Sequence, residues 1–254
     1  SKDEHSEAFA EAIQGINTVI IDEVHMAKAD VLKRLLTGPF AHCGIRWGLT
    51  GTVPKADYEF MGLKCSIGDV THRIQASELQ DKGVLANCHV NVLQTQDHPQ
   101  FKTYAEELKW LTTDKVRMKW VANTIKDIST SGNTLILVDR ISAGQILQEQ
   151  LEDSVFVSGS TKNVDRKEQY DEVSTATNKI IIATYGVASV GINIPRIFNL
   201  VLIEPGKSFV RVIQSIGRGI RKAEDKENVQ IWDITSSCKF AKRHLGARKK
   251  FYKE

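Results

Sequence analysis

The stretch "TVIIDEVHMAK", Thr18–Lys28, joins a short apolar run to two adjacent carboxylates and a histidine. Acidic residues at the end of a buried strand are typical of the ligand-binding edge of a parallel sheet, because such sheets present the carboxyl ends of their strands to ligands. We predict that Asp22 holds Mg²⁺, directly or through water, and that Glu23 orients or deprotonates an attacking water. The alternative is a helix N-terminus, where acidic residues stabilise the helix dipole.

Composition bounds the class of protein. The 254 residues are 41% hydrophobic, which is enough for a substantial core, and the net charge of +3 permits a polyanionic partner without requiring one. No apolar run approaches the roughly 20 residues that a membrane span needs. The four cysteines are far apart and form no CxxC pair, which disfavours zinc and indicates reduced thiols in a cytosol.

Strand-like apolar runs alternate with amphipathic helical patterns along the whole chain. This alternation predicts an α/β fold with a parallel, doubly wound sheet. The predicted strands are Thr18–Val24, Arg46–Thr50, Cys88–Gln94, Asn133–Val138, Ser154–Val157, Lys179–Thr184, Asn199–Ile203 and Val229–Asp233. The predicted helices are Ala29–Leu36, Tyr104–Ile128, Ser142–Leu151, Val164–Val173, Phe209–Ile220 and Lys239–Phe251.

A polar segment with a proline, "LQTQDHPQFKTY", predicts a domain boundary. We expect a first domain over residues 1–97 and a second over 98–254. The first block has only two clear central strands and the chain has no initiator methionine, so we expect a partial first domain followed by a complete second one.

Two loops after strands have the composition of ligand-binding turns. "WGLTGT", residues 47–52, follows the strand after the acidic pair. "ATYGVASVGINIP", residues 183–195, follows "KIIIA", and its glycines let the backbone approach a ligand closely while Thr184 and Ser189 can donate to phosphate oxygens. Ordinary turns are the alternative for both loops.

The stretch "SFVRVIQSIGRGIRK", residues 208–222, has an apolar stripe at helical spacing and a basic face. Arg211, Gln214, Arg218 and Arg221 fall on that face, and arginines so arranged suit a triphosphate because guanidinium groups stabilise charge on a transferring phosphoryl group. A solvated basic face is the alternative.

The chain's last sixteen residues, "KFAKRHLGARKKFYKE", are strongly basic. They predict either a surface that follows a nucleic-acid backbone or a solvated terminal helix. The candidate DNA-binding residues in this tail are Lys242, Arg243, Arg248 and Lys249.

Taken in order, these motifs resemble those of the superfamily 2 helicases. "DEVH" is similar to the DExH motif II, "LTGT" to motif III, "LILVDR" (135–140) to motif IV, "ATYGVASVGINIP" to motif V and "QSIGRGIRK" to motif VI, usually written QxxGRxxR. The order of five motifs over nearly the whole chain carries the resemblance. It implies RecA-like parallel sheets flanked by helices, with ATP in a cleft between two domains and DNA across both.

The resemblance also implies roles for the first block. Asp22 binds Mg²⁺, Glu23 is the base, and His25 couples to Gln214 across the cleft. Thr50 and Thr52 link hydrolysis to DNA.

For the second block, the resemblance places Arg218 and Arg221 at the γ-phosphate and Thr184 at the DNA backbone. Gly191 and Asn193 lie near the nucleotide, although Asn193 replaces the aspartate common at that place in motif V. The implied activity is ATP-driven remodelling of branched DNA.

No phosphate-binding P-loop precedes motif II in these residues. "EPGKS" (204–208) contains GKS, but the required earlier glycine is replaced by Val201 inside a strand. We therefore expect these 254 residues alone to hydrolyse ATP poorly. Two alternatives stay open: a nucleic-acid-binding module that uses RecA-like sheets without hydrolysing ATP, and the motor of a restriction enzyme, for which no nuclease cluster is evident.

Overall fold

Two units make up the fold, and each is described by itself. The computed structural model describes residues 8–26, 29–51, 53, 57–83, 86–159, 176–189, 196–207, 228–250 and 252. The units are Ser1–Arg73 and Ile74–Glu254. The predicted helices Val164–Val173 and Phe209–Ile220 lie outside the described residues.

The first unit alternates two parallel strands with helices. Strand β1 (Thr18–Ile21) is followed by a 3-10 turn at Val24–Met26 and by helix α1 (Ala29–Thr37). Strand β2 (Ile45–Gly48) is followed by helix α2 (Asp57–Ile67). The sequence missed α2.

The core of the first unit lies on one face of these strands. Leu32 and Leu36, one helical turn apart in α1, are each only 1% exposed and pack with Val24 and Leu63. A Cβ at Gly48 would come within 3.1 Å of the side chains of Val24 and Ile67. A glycine at this place therefore lets the 3-10 turn and α2 pack closely on β2.

The second unit has a six-stranded, entirely parallel sheet with the strand order β3-β8-β7-β4-β6-β5, which confirms the predicted fold class. None of its described helices is long and apolar enough to cross a bilayer. Its elements are α3 (Ala76–Asp81), β3 (Asn87–Thr95), α4 (Tyr104–Thr113), α5 (Lys115–Ser129), β4 (Thr134–Val138), α6 (Ile141–Gln150), β5 (Ser154–Val157), β6 (Ile180–Thr184), α7 (Tyr185–Ser189), β7 (Asn199–Ile203), β8 (Asn228–Ser236) and α8 (Lys239–Arg248).

Both faces of this sheet are buried, as the continuous apolar runs predicted. In β4, Leu135 and Leu137 belong to one core cluster, whereas Ile136 and Val138 belong to the cluster on the opposite face. The second cluster includes the apolar stripe of α5 and part of α6, and the first includes Val187 of α7. Strand alternation thus builds two cores from one apolar run.

The single long helix predicted for Tyr104–Ile128 is wrong, because Asp114 divides it. Its backbone is extended (ψ 124°), its N–H donates to Trp110 O, and its side chain accepts from Arg117 N. One residue therefore ends α4 and caps α5, and short polar residues favour such positions.

The unit boundary also differs from the predicted one. Strand β3 pairs along its whole length with β8, so it belongs to the second unit, which begins at Ile74 and not after residue 97. The polar segment that suggested a boundary is held in place: Thr95 Oγ1 donates to Thr235 O at 3.1 Å, and Asp97 N donates to Ser237 Oγ at 3.0 Å. Polarity there reflects hydrogen bonding within one unit.

Candidate functional site

The acidic pair and the LTGT turn lie at the same edge of the first sheet. The parallel register places Ile21 opposite Gly48, so Asp22–Glu23 and Leu49–Thr50 follow the two strands side by side. Backbone bonds extend the pairing: Leu49 N donates to Ile21 O at 2.8 Å, and Val24 N donates to Leu49 O at 3.0 Å.

His25 joins the two strand ends directly. Its Nδ1 lies 2.7 Å from Thr50 Oγ1 and 3.4 Å from Glu23 Oε2, and the imidazole is 18% exposed. The sequence singled out all three residues but did not predict this contact, although both motifs follow adjacent strands. The predicted partner Gln214 lies outside the described residues, so that coupling stays a prediction.

Strand β1 ends at Ile21, earlier than the predicted end at Val24, and Glu23 lies in the turn that follows. Its φ is +48°, in the left-handed region that side chains rarely adopt, and Asp22 Oδ1 accepts the Glu23 N–H at 2.8 Å. After this turn the Glu23 carboxylate lies 3.4 Å from His25 Nδ1. Such backbone strain is common at functional sites.

The residues at this edge fit a Mg²⁺ ion shared with phosphates. Among the described residues, no three His, Cys, Asp or Glu side chains form a metal-binding group. Mg²⁺ typically takes one or two protein carboxylates and completes its shell with water and substrate phosphates. The exposed carboxylate of Asp22 at the strand end matches this pattern.

In the second unit, Thr184 ends β6 opposite Val138 of β4 and is half-buried. An added Cβ at the nearby Gly186 would have nothing within 4 Å, so no described neighbour requires a glycine there. That open space is compatible with a ligand close to the backbone. The remaining predicted site residues lie outside the described residues and stay predictions: Thr52, Gly191, Asn193, Gln214, Arg218 and Arg221.

The basic helix α8 divides into an exposed face and a buried anchor. Lys242, Arg243 and Lys249 are exposed, as a DNA-binding surface needs. Arg248 is 0% exposed, and its Nε and Nη2 donate to the two oxygens of Asp233 at 2.8 and 2.9 Å. We therefore correct the assignment of Arg248 to DNA. The helical period could have revealed this burial from the sequence. Arg248 lies one turn beyond His244, which is also buried, so the two residues share the inner face of the helix.

The sequence missed a buried charged cluster beside this anchor. Glu204, directly after β7, accepts from Arg117 Nη2 at 2.7 Å and from Thr235 Oγ1 at 3.1 Å. Arg117 also donates through Nε to Asp97 at 3.4 Å. Burial raises the pKa of Glu204 to about 7, against the lowering effect of Arg117. The sequence did contain a pattern that could have revealed Glu204: an acidic residue at the end of an apolar strand, as at Asp22.

Comparison with known proteins agrees with the fold and with the motif order. Residues 117–223 match the helicase conserved C-terminal domain. This match, the parallel sheet and the DEVH strand end agree with the resemblance to the superfamily 2 DExH helicases.

Among individual proteins, the chain resembles the ATP-dependent DNA helicase uvsW of Enterobacteria phage T4. The two are 26% identical over 241 residues, which is 91% of this chain and 48% of uvsW. The crystal structure of T4 UvsW aligns with a TM-score of 0.58 and 21% identity over 98% of this chain and 54% of that one. The helicase MrfA, bound to DNA and AMPPNP, aligns with a TM-score of 0.65 and 12% identity over 98% of this chain and 35% of that one. This chain thus spans about half the length of uvsW.

Proposed function

We propose that the protein is an ATP-dependent DNA helicase or translocase that remodels branched DNA, by junction migration and fork regression, in recombination, repair and replication. The hydrogen bond between His25 and Thr50 carries the proposal. It ties the end of the DEVH strand to the end of the LTGT strand, and those are the places where hydrolysis and its coupling to DNA are expected. The similarity to uvsW supports the choice of DNA and suggests branched substrates.

ATP and Mg²⁺, when bound, supply the phosphoryl group and neutralise its charge. Asp22 would supply a carboxylate ligand to Mg²⁺ at the strand edge. Glu23 orients the attacking water or accepts its proton, and His25 Nδ1 is hydrogen-bonded to the Thr50 hydroxyl beside the Glu23 carboxylate. In this proposal Arg218 and Arg221 stabilise the charge that develops on the γ-phosphate, as arginine fingers do.

DNA binding is proposed for the exposed cations of α8 and for Thr184. Lys242 and Arg243 are exposed on this short helix and Lys249 is exposed at its C-cap, so all three can neutralise phosphates without loss of core contacts. Contacts of this kind are directed at the backbone and tolerate any sequence. MrfA, of the same fold, was crystallised with DNA and a nucleotide analogue.

The test measures ATP turnover and junction migration by the full-length protein, with and without a synthetic four-way DNA junction. We expect the junction to stimulate turnover and expect ATP to drive strand exchange in it. Junction binding without any turnover would instead favour a non-hydrolysing binding module.

A further inference from the structure

The basic helix α8 begins without the groups that usually start a helix. Its N-cap residue is Cys238, which makes no side-chain capping bond, and its first turn contains no acidic residue. It begins instead with Lys239, and a cation is unfavourable there because the N-terminal end of the helix dipole is positive. The sequence of α8 itself therefore supplies no partner for the first N–H groups of the helix.

Glu107 of α4 supplies what α8 lacks. The side chain is 1% exposed, its Oε2 accepts from Phe240 N at 3.1 Å, and its Oε1 accepts from Ala241 N at 2.7 Å. Both carboxylate oxygens thus bond to the first turn of α8, where a negative charge also stabilises the helix dipole. Helix α8 is therefore joined to α4 at its start, and it is joined to β8 near its end by Arg248 and Asp233.

Phe240 connects this bond to the exposed cations. The centre of its ring lies 5.3 Å from Arg243 Cζ and 5.4 Å from Lys239 Nζ, and 6.3 Å from the ring centre of Tyr104 in α4. The quadrupole of an aromatic ring attracts cations in such positions. The residue whose N–H bonds to Glu107 therefore also supports two exposed cations of α8.

The outer face of α8 and its C-cap carries only positive charge. Residues 239–250 contain no acidic residue, and their exposed cations are Lys239, Lys242, Arg243, Lys249 and Lys250. An acidic residue in the exposed part of the first turn would stabilise the helix, but it would also place a negative charge among these cations. A buried carboxylate beneath the start of the helix gives the same stabilisation and leaves the outer face positive.

We propose that Glu107 is a positioning residue for DNA binding: by bonding to the first turn of α8 and, through Phe240, supporting Arg243, it presents the cations of α8 as a fixed array for phosphates. This inference rests on the proposed binding of DNA by α8. Glu107 is buried and acts through the helix, without contact to DNA. It therefore predicts that removing the negative charge of Glu107 weakens DNA binding, whereas the loss of a negative charge alone would strengthen binding of a polyanion.

The experiment uses two variants on neighbouring residues of α4 in the full-length protein. Glu107→Gln keeps the size of the side chain but removes its charge and one of its two acceptor oxygens. Glu106→Gln is the matched control, because this neighbouring acid is exposed and glutamine can keep its capping bond to Thr103 N. Two further variants complete the set: Phe240→Leu removes the ring beneath Arg243, and Lys242→Ala with Arg243→Ala reports whether α8 binds DNA.

The readouts are the Kd for a fluorescently labelled four-way DNA junction over a salt series, and the melting temperature. Binding is measured at a temperature at which circular dichroism shows every variant to be folded. Under that condition a purely structural role of Glu107 would lower the melting temperature and leave the slope of log affinity against log salt unchanged, because that slope counts the phosphates that the protein neutralises.

We expect Glu107→Gln to raise Kd about 10-fold and to reduce the salt slope by about 2, although no cation is changed, because a displaced helix loses several phosphate contacts together. Glu106→Gln should keep the slope and bind the junction equally well or more tightly. Phe240→Leu should raise Kd about 2- to 5-fold, the size of a cation–π contribution. If Glu107→Gln fails to fold, Phe240→Leu decides, and an unchanged Kd in that variant overturns the inference.

The inference is also overturned if folded Glu107→Gln keeps the slope and affinity of Glu106→Gln, or binds the junction more tightly. A slope that falls in the Lys242→Ala, Arg243→Ala double variant but not in Glu107→Gln would leave the proposed DNA surface standing and reject only the role of Glu107. An unchanged slope in the double variant would reject α8 as a DNA surface, and the inference with it.

Discussion

At the scale of single residues, His25 is the connection between two motifs. Its Nδ1 shares a hydrogen bond with the Thr50 hydroxyl and lies 3.4 Å from the Glu23 carboxylate, so one side chain connects a proposed base with a proposed coupling hydroxyl. His25→Ala should lower DNA-stimulated ATP turnover by about tenfold or more, because both partners lose their fixed orientation. The measurement is kcat with saturating DNA.

The control for this variant is His42→Ala, an exposed histidine of the same unit. Both variants should melt near the original temperature. If His25→Ala and His42→Ala keep the same turnover, the His25–Thr50 bond has no part in coupling.

The raised pKa of Glu204 predicts that the free energy of unfolding decreases as the pH rises. Its folded-state pKa is raised from 4.5 to about 7, mainly by burial, so the folded protein holds the proton more tightly than the unfolded chain. The stabilisation is complete below pH 4.5 and is lost as pH rises through about 7. Its size is on the order of 3 kcal/mol, from roughly 1.4 kcal/mol for each pKa unit.

Glu204→Gln should therefore flatten the fall in unfolding free energy between pH 5 and pH 7.5 by up to that ~3 kcal/mol. Urea denaturation at the two pH values measures it. Parallel pH profiles for the two proteins would show that Glu204 titrates near its ordinary pKa.

Some site residues could be assigned from the sequence and others could not, depending on which structural feature each sequence pattern reflects. An acid at a strand end was enough to place Asp22 and Glu23 at the edge of a parallel sheet. The same pattern at Glu204 was obscured by the GKS sequence beside it. Arg248 was misassigned because counting charges ignores which helix face each charge occupies, and its partner Asp233 is fifteen residues away along the chain.

At the scale of elements, α8 separates anchoring from binding. Arg248→Met leaves the buried Asp233 without its cation, and we expect it to lower the unfolding free energy by about 3–5 kcal/mol. Lys242→Ala with Arg243→Ala should change stability by less than about 0.5 kcal/mol, since both residues are exposed.

The effects on DNA binding should be in the opposite order, with the larger effect in the Lys242→Ala, Arg243→Ala double variant. The double variant should weaken DNA binding and reduce the slope of log affinity against log salt by about 1 for each cation removed. Fluorescence anisotropy over a salt series measures the slope. An unchanged slope in the double variant would remove α8 from the proposed DNA surface.

Two helix glycines offer a direct test of packing. Gly144 in α6 would place a Cβ 2.4 Å from the Phe156 ring, whereas Gly246 in α8 would have nothing within 4 Å. Gly144→Ala should therefore destabilise by about 1–3 kcal/mol. Gly246→Ala should stabilise by about 0.4–1 kcal/mol, because it restricts the unfolded chain without strain.

Denaturant midpoints for the two variants check this pair. Equal shifts in the two proteins would show that the Phe156 ring moves away at little cost.

At the scale of elements, the sequence predicted strands well, because the core strands are apolar on both faces. It misjudged the break at Asp114 and the partner of β3, which depend on capping and on pairing across more than a hundred residues.

At the scale of the whole molecule, the motif order and the fold agree with the proposed helicase function. Each unit is a parallel α/β structure whose candidate residues follow the carboxyl ends of strands. The order of motifs could be recognised from sequence because each motif is local. The contacts that hold them, such as His25 with Thr50 and Arg117 with Glu204, join distant positions and required the structure.

The measurement that tests the central claim most directly is DNA-stimulated ATP turnover by the full-length protein and by Glu23→Gln. The variant keeps the size of the side chain and removes only its charge and basicity, and the exposed Glu11→Gln is the control for loss of one negative charge in the same unit. We predict that Glu23→Gln binds DNA normally and loses at least about 100-fold in turnover, the lower part of what general-base catalysis contributes. Turnover that survives unchanged in Glu23→Gln, in a protein of unaltered melting temperature, would contradict the assignment of this strand end to ATP hydrolysis.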